Sequence, residues 1–224
     1  MNHPIVESSD AVTLIAGGPC RKRDLMLAMR RAPVVVAADG GADRALALGV
    51  TPCAVIGDLD SVSKRACAAL GAGRLHRIAE QESTDFDKAL RSIRAPFVLA
   101  VGGTGGRTDH GLAVLNGLLT HAATTDAMPC LLIGPQDVVF AAPPEIVLAL
   151  RPGDRLSLFP MAPLHGESRG LCWPIDGLDF MPAGRIGTSN LVTENRVELR
   201  FDTPGMLVLL PRNRLDAALH ALRR

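Results

Sequence analysis

The chain has 224 residues, 47% of them hydrophobic and 21% charged, and a formal net charge of +1. That length supplies one sizeable core, or a large and a small domain, and the balanced charge offers no footing for a nucleic-acid or anionic-membrane partner. Aromatic residues make up only 3%, with no Tyr, too few for a base-stacking platform.

The five cysteines, Cys20, Cys53, Cys67, Cys130 and Cys172, are scattered and form no C-x-x-C pair. This argues against a zinc site or a disulfide framework and suits a reducing cytoplasm. Met1-Asn2-His3-Pro4 lacks a basic region followed by an apolar one, and no run approaches the ~20 apolar residues of a membrane span. A soluble, cytoplasmic protein is expected.

Ala11 to Ala16 reads as a strand closed by Gly17-Gly18-Pro19, and Leu25 to Arg31 as a helix stopped by Pro33. Val34-Val35-Val36-Ala37-Ala38 is a continuous apolar run, the pattern of a parallel strand covered on both faces; Asp39-Gly40-Gly41 stands at its carboxyl end. Ala42 to Leu48 is helical, ended by Gly49 and Pro52. The short strand Ala54-Val55-Ile56 then runs into Gly57-Asp58-Leu59-Asp60-Ser61. In an extended chain, Asp58 and Asp60 point to one face and can share one small cation; Mg2+, which takes oxygen ligands, is the natural partner. Val62 to Leu70 reads as a helix and Leu75 to Ile78 as a strand. Thr84 is placed to cap the helix that follows, with Asp87 closing a capping box. Phe97 to Val101 is a strand that enters Gly102-Gly103-Thr104-Gly105-Gly106-Arg107-Thr108-Asp109-His110. Leu112 to Leu119 is an apolar helix, and Cys130 to Gly134 one more strand.

This alternation predicts an open α/β domain with a mostly parallel sheet over residues 1–142. In such sheets ligands bind beyond the carboxyl ends of the strands. Asp39, Asp58 and the 102–106 glycines fall there, and Asp85 opens a helix on the same side. Each alone reads as a turn or a helix cap; their convergence on one edge points to a nucleotide and metal site. The glycine stretch fits neither a P-loop, lacking the Lys-Ser/Thr, nor G-x-G-x-x-G. It still suits phosphate oxygens, with Arg107 able to make bidentate contacts. After Pro143-Pro144 the texture changes to short strands at 146–150, 155–159, 196–201 and 206–210 between Pro/Gly turns. Residues 143–224 therefore read as a smaller antiparallel β-sandwich domain, with a helix at 212–224. Trp173, the only Trp, reads equally as a core side chain of that domain and as an aromatic face that attracts a cation.

Taken together, Ala38-Asp39-Gly40-Gly41-Ala42, Gly57-Asp58-Leu59-Asp60-Ser61, the 81–90 stretch from Gln81-Glu82 through Thr84-Asp85 to Lys88-Ala89-Leu90, and Gly105-Gly106-Arg107-Thr108-Asp109-His110 resemble the thiamine pyrophosphokinase family. So do Ser157-Leu158-Phe159-Pro160, Gly170-Leu171-Cys172-Trp173-Pro174 and Thr188-Ser189-Asn190, so that the ordered blocks span nearly the whole chain. Glu82 departs from the family, which more often has Asp there. The resemblance implies a nucleotide- and metal-binding α/β domain, a thiamine-binding β domain and a homodimer with an active site shared between chains. It also implies transfer of pyrophosphate from ATP to the hydroxyl of thiamine. On that reading Asp58, Asp60 and Asp85 hold Mg2+, and Asp39 and Asp109 complete the catalytic acidic pocket. Gln81, Thr84, Lys88, Gly103, Gly105, Gly106 and Arg107 hold ATP; Trp173, Ser189 and Asn190 meet thiamine. A Mg2+-dependent nucleotide pyrophosphohydrolase and a non-catalytic nucleotide- or thiamine-binding protein are the alternatives.

Overall fold

A computed structural model describes residues 4–223. Met1-Asn2-His3, read above for a leader, and Arg224 lie outside the described residues. The chain divides into two compact units: one runs to Gly117 and includes Asp126–Pro135, the other holds Leu118–Thr125 and everything from Gln136 onward.

In chain order the first region comprises β1 (Val6–Glu7), β2 (Val12–Ile15), α1 (Lys22–Met29), β3 (Val34–Ala38), α2 (Gly41–Ala47), β4 (Ala54–Gly57), α3 (Lys64–Leu70), β5 (Leu75–Arg77), α4 (Asp85–Arg91), β6 (Ile93–Arg94), β7 (Val98–Val101), α5 (Thr108–Ala122) and β8 (Cys130–Ile133). Its strands pair in the order β8-β7-β2-β3-β4-β5, all parallel. The apolar runs make this possible: Val12, Leu14, Ile15, Val36, Val55, Ile56, Leu99 and Leu131 are wholly buried, as strands covered on both faces require. From β2 the chain winds one way through β3, β4 and β5, then returns to lay β7 on the other side of β2. The order of winding therefore reverses between β2 and β7, the place where such sheets open a ligand crevice at their carboxyl edge.

The second region comprises β9 (Asp137–Ala141), β10 (Glu145–Ala149), β11 (Arg155–Pro160), β12 (Gly166–Arg169), β13 (Gly187–Leu191), β14 (Arg196–Phe201), β15 (Met206–Pro211) and α6 (Leu215–Leu222). The strands form two antiparallel arrays, β13-β11-β15-β9 and β10-β14-β12. The antiparallel β architecture expected for the second half is thus present. α6 is preceded by a 3-10 turn at Arg212–Arg214, so the expected terminal helix starts later. β12 and β13 were not anticipated, because Gly-Glu-Ser-Arg and Gly-Thr-Ser-Asn-Leu carry no apolar alternation. Among the described helices, none is long and apolar enough to cross a membrane.

Candidate active site

Three carboxylates meet at the ends of β3 and β4. One oxygen each from Asp39, Asp58 and Asp60 lies within 4.8 Å of the others. Gly57 permits the approach: a Cβ there would stand 2.9 Å from the Asp39 Cβ and 3.0 Å from Asp85 Oδ1. The Asp58–Asp60 pair does not converge through extended chain, as its spacing suggested. Leu59 sits at φ 67°, and Asp58 Oδ1 accepts the Asp60 N–H at 3.1 Å, an Asx turn. The Leu59 side chain packs against the Ala37, Ala42, Val55 and Leu70 cluster. Core burial therefore anchors the turn and leaves its two acids facing out.

Asp39 is 4% exposed, and its Oδ1 has no hydrogen-bond partner among the described residues. Burial pushes its carboxyl above the ordinary Asp value, and the Asp85 and Asp60 charges push the same way, against hydrogen bonding from Ser61 and Gly40. Asp58 is pulled below it, first by the Asp60 N–H and then by the Gln81 amide, which donates Nε2–H to Asp58 Oδ2 at 3.1 Å. A buried acceptor without a donor, among three hard oxygen ligands, fits a divalent cation of the Mg2+ class.

Asp85 stands at the first position of α4, where Thr84 and Asp87 form the expected capping box. Its Oδ1 accepts the Asp58 N–H at 3.2 Å and the Lys88 ammonium at 3.1 Å. Lys88 is 1% exposed and also lies 3.8 Å from Asp58 Oδ2, so its charge is spent on these two acids. Asp85 is outside the three-carboxylate group and borders it through Asp58 and Gly57.

On the other side of β2, the 102–106 turn is braced against the 16–18 loop. The Gly18 N–H donates to Gly102 O at 2.9 Å, and a Cβ on Gly18 would lie 2.4 Å from that oxygen. Gly102 and Gly105 take φ 72° and 83°, which glycine adopts freely. A Cβ on Gly103 would strike Leu132 and Val114, and one on Gly106 would crowd Pro19, whereas Gly105 faces open space. Arg107 and Asp109 bind each other in a bidentate pair on the surface, at 3.1 and 2.6 Å. The guanidinium holds the Asp109 carboxyl down at about 2. Neither joins the acidic group.

In the second unit, Trp173 is 59% exposed and so is not a core side chain. Its N–H donates to Asn190 Oδ1 at 3.2 Å, and its carbonyl accepts from Asn190 Nδ2 at 2.6 Å. Ser189, at φ 62°, donates its N–H to Ser157 Oγ at 2.9 Å.

Two supports were not foreseen. Glu80 gathers the Glu82 and Ser83 N–H groups, the Ser83 hydroxyl and Arg91, which brace the loop carrying Gln81. The Ser83 hydroxyl, then Arg91, hold its carboxyl at about 2. Asp43 accepts the Ser63 N–H at 2.9 Å and ties down the end of the 58–63 segment. Only the Glu80/Ser83 spacing hinted at either, as a local turn.

The family model for the thiamin pyrophosphokinase catalytic domain matches residues 25–130, the stretch that contains every acid described above. Thiamine pyrophosphokinase 1 of Oryza sativa subsp. japonica is 26% identical over 244 aligned positions, covering 94% of this chain and 91% of that protein. Residues 25–130 thus match the catalytic domain of the thiamine pyrophosphokinase family, and the chain is similar to such proteins over nearly its whole length. Members of this family are enzymes. In fold, thiamin pyrophosphokinase from Candida albicans superposes with a TM-score of 0.77 at 14% identity, covering 94% of this chain and 95% of that one. A protein of Lactobacillus plantarum gives 0.75 at 27% identity over 90% of this chain and 98% of its own. The catalytic-domain match ends before Trp173, Ser189 and Asn190, while the rice relative and both solved structures extend over the second unit as well.

Proposed function

We propose that the chain transfers a pyrophosphoryl group from ATP to the hydroxyl of thiamine, giving thiamine diphosphate and AMP, with Mg2+ as the metal. The observation that carries this reading is the Asp39, Asp58 and Asp60 group with its unpartnered buried oxygen, in a chain whose residues 25–130 match the thiamin pyrophosphokinase catalytic domain. The thiamine hydroxyl oxygen bonds to the β-phosphorus. The bond from that phosphorus to the α,β-bridging oxygen breaks, AMP leaves with that oxygen, and the hydroxyl proton passes to a carboxylate of the crevice.

Asp58 and Asp60, with Asp39 beside them and Asp85 on their flank, would hold Mg2+; when bound, the ion neutralises charge on the phosphate oxygens. Lys88 fixes Asp85 and Asp58. Gln81 and Thr84 border the nucleotide, and Gly103, Gly105 and Gly106 present backbone N–H groups to the phosphates. Arg107 exchanges the Asp109 carboxylate for phosphate oxygens, a bidentate contact for which its fork is suited. Asp109, so freed, faces the pocket.

Residues 143–224 take the acceptor. The exposed Trp173 face attracts the thiazolium cation, and Ser189 supplies hydrogen bonds. Exposed Trp173, Met181, Ile186 and Leu191 support a homodimer in which one copy's β domain serves the other's carboxylates. The scattered free cysteines agree with a cytoplasmic setting.

Incubation with ATP, Mg2+ and thiamine, followed by chromatography, tests the reading: thiamine diphosphate and AMP are expected. ATP consumption without thiamine would make the chain a pyrophosphohydrolase, and binding without turnover a non-catalytic binding protein. ADP as the nucleotide product would exclude attack at the β-phosphorus.

A further inference from the structure

Asn190 lies in β13, at the edge of its sheet, yet it is only 7% exposed. A bulge turns it inward. Leu156 pairs with Asn190 and Leu158 with Gly187, so Thr188 and Ser189 together face Ser157. Such an extra residue re-aims the side chains beside it. Here Thr188, Ser189 and Leu191 face solvent while Asn190 is buried.

Inside, the Asn190 amide is committed to backbone. Oδ1 accepts the N–H of Trp173 at 3.2 Å and of Leu191 at 2.8 Å, and Nδ2 donates to the Trp173 carbonyl at 2.6 Å. These partners also fix the orientation of the amide, since reversing it would set its NH2 against two N–H donors. Both lone pairs of Oδ1 are used, so that oxygen has nothing left to offer a ligand.

The contacts continue a short ladder. The Cys172 N–H donates to Leu191 O at 2.8 Å, the Thr193 N–H to Gly170 O at 2.9 Å, and Leu171 bridges Val192. At the next rung the Asn190 side chain takes the place of a strand. Beyond it, Pro174 has no N–H and restricts Trp173 to extended backbone. Trp173 is thereby held on both sides while its indole stays in solvent.

We infer that Asn190 is a positioning residue for Trp173: it acts on the acceptor site by fixing the backbone beneath the indole, not by touching the acceptor. The inference deepens the proposed function and, for its kinetic part, rests on it. A double-mutant cycle tests it, because two residues acting through one element couple. Asn190→Ala should raise the KM for thiamine ~3- to 10-fold, leaving kcat and the KM for ATP within about twofold. Added to Trp173→Ala, it should change the thiamine KM by less than about twofold more. Independent effects that multiply, or equal shifts in both KM values, would overturn the inference.

A second arm needs no substrate. Trp173 is the only Trp, so time-resolved fluorescence anisotropy reads its mobility directly. Asn190→Ala should enlarge the fast component, and Asn190→Asp, which keeps an acceptor for both N–H groups but sets a carboxylate oxygen against the Trp173 carbonyl, should enlarge it as well. Unchanged anisotropy in both variants would refute the clamp even if thiamine proved not to be the substrate. Failure to make thiamine diphosphate, with the anisotropy changed as expected, would sink the functional reading alone. Should Asn190→Ala not fold, Asn190→Asp carries both measurements.

Discussion

In the first unit, Asp39, Asp58 and Asp60 are presented from strand ends, and their neighbours are bonded to one another. Lys88 is buried against Asp85 and Asp58, Gln81 reaches Asp58, and a single backbone turn joins Asp58 to Asp60. In the second unit, the Trp173 side chain is 59% exposed, and its bracing lies in the backbone below it. The difference follows from what each group needs. Clustered carboxylates repel and must be fixed by hydrogen bonds and counter-charge before a cation arrives. An aromatic face needs no counter-charge, only a fixed direction.

The largest effect should come from breaking the acidic side. Asp58→Asn removes a charge from the three-carboxylate group, and kcat/KM should fall ~10²–10³-fold, the scale seen when one preorganised charge-stabilising group is lost. Near-parental activity at ordinary Mg2+ would remove Asp58 from the site. Next is the bracing. Lys88→Met keeps the buried stem but leaves Asp85 and Asp58 without their counter-ion. Unfolding in denaturant should show a loss of ~2–4 kcal/mol, toward the lower end because the two acids are partly solvated. An unchanged midpoint would mean that the acids hold their places without Lys88.

On the aromatic side, Trp173→Ala should raise the KM for thiamine ~3- to 30-fold, the worth of a cation–π contact, with the KM for ATP unchanged. Stability should hardly move, since the indole is mostly in solvent. Steady-state kinetics with each substrate varied in turn separate the two constants; a shift in the ATP constant alone would mean that Trp173 serves the nucleotide.

The acidic side was the more legible of the two in the sequence. Apolar runs ending in Asp39 and Gly57-Asp58 mark strand ends, and strand ends of a parallel sheet share an edge. What the pattern could not supply was pairing among near neighbours. That Lys88 turns inward to Asp85, and that Arg107 closes on Asp109, depends on rotamers which spacing leaves free. The Asx turn at Asp58 was hidden because Leu59 takes a left-handed backbone that its residue type disfavours, held there by burial. On the second side the motif Gly170 to Pro174 marked Trp173, but its exposure and the Asn190 contacts depend on a bulge between β11 and β13. A bulge leaves no periodic trace in five residues of which three are Gly, Ser and Asn.

The smallest effect concerns how far the second unit relies on surface bonds. His165 joins two segments there: its ring Nδ1 lies 2.8 Å from Asp202 Oδ2 and its Nε2 3.0 Å from Asp179 Oδ1. Its backbone N–H also donates to Asp202 Oδ1 at 2.9 Å. Hydrogen bonds to Asp202 first, then to Asp179, raise the imidazole above its ordinary value of 6.5, because only the charged ring donates from both nitrogens. Asp202, held below the usual Asp range chiefly by the His165 N–H, stays ionised at mildly acid pH. A folded value above the unfolded one means that the contribution is complete below 6.5 and disappears as pH rises through the folded value. His165→Asn should therefore lower the melting temperature at pH 5.5 by ~1–3 °C, the small scale of exposed ion pairs in a chain of this size. At pH 9 it should lower it by nothing measurable. A loss of equal size at both values would assign the effect to packing and leave the charge without a role; a loss confined to the acid side would show that the charged ring carries it, weakly because, unlike Lys88, His165 is paired in solvent.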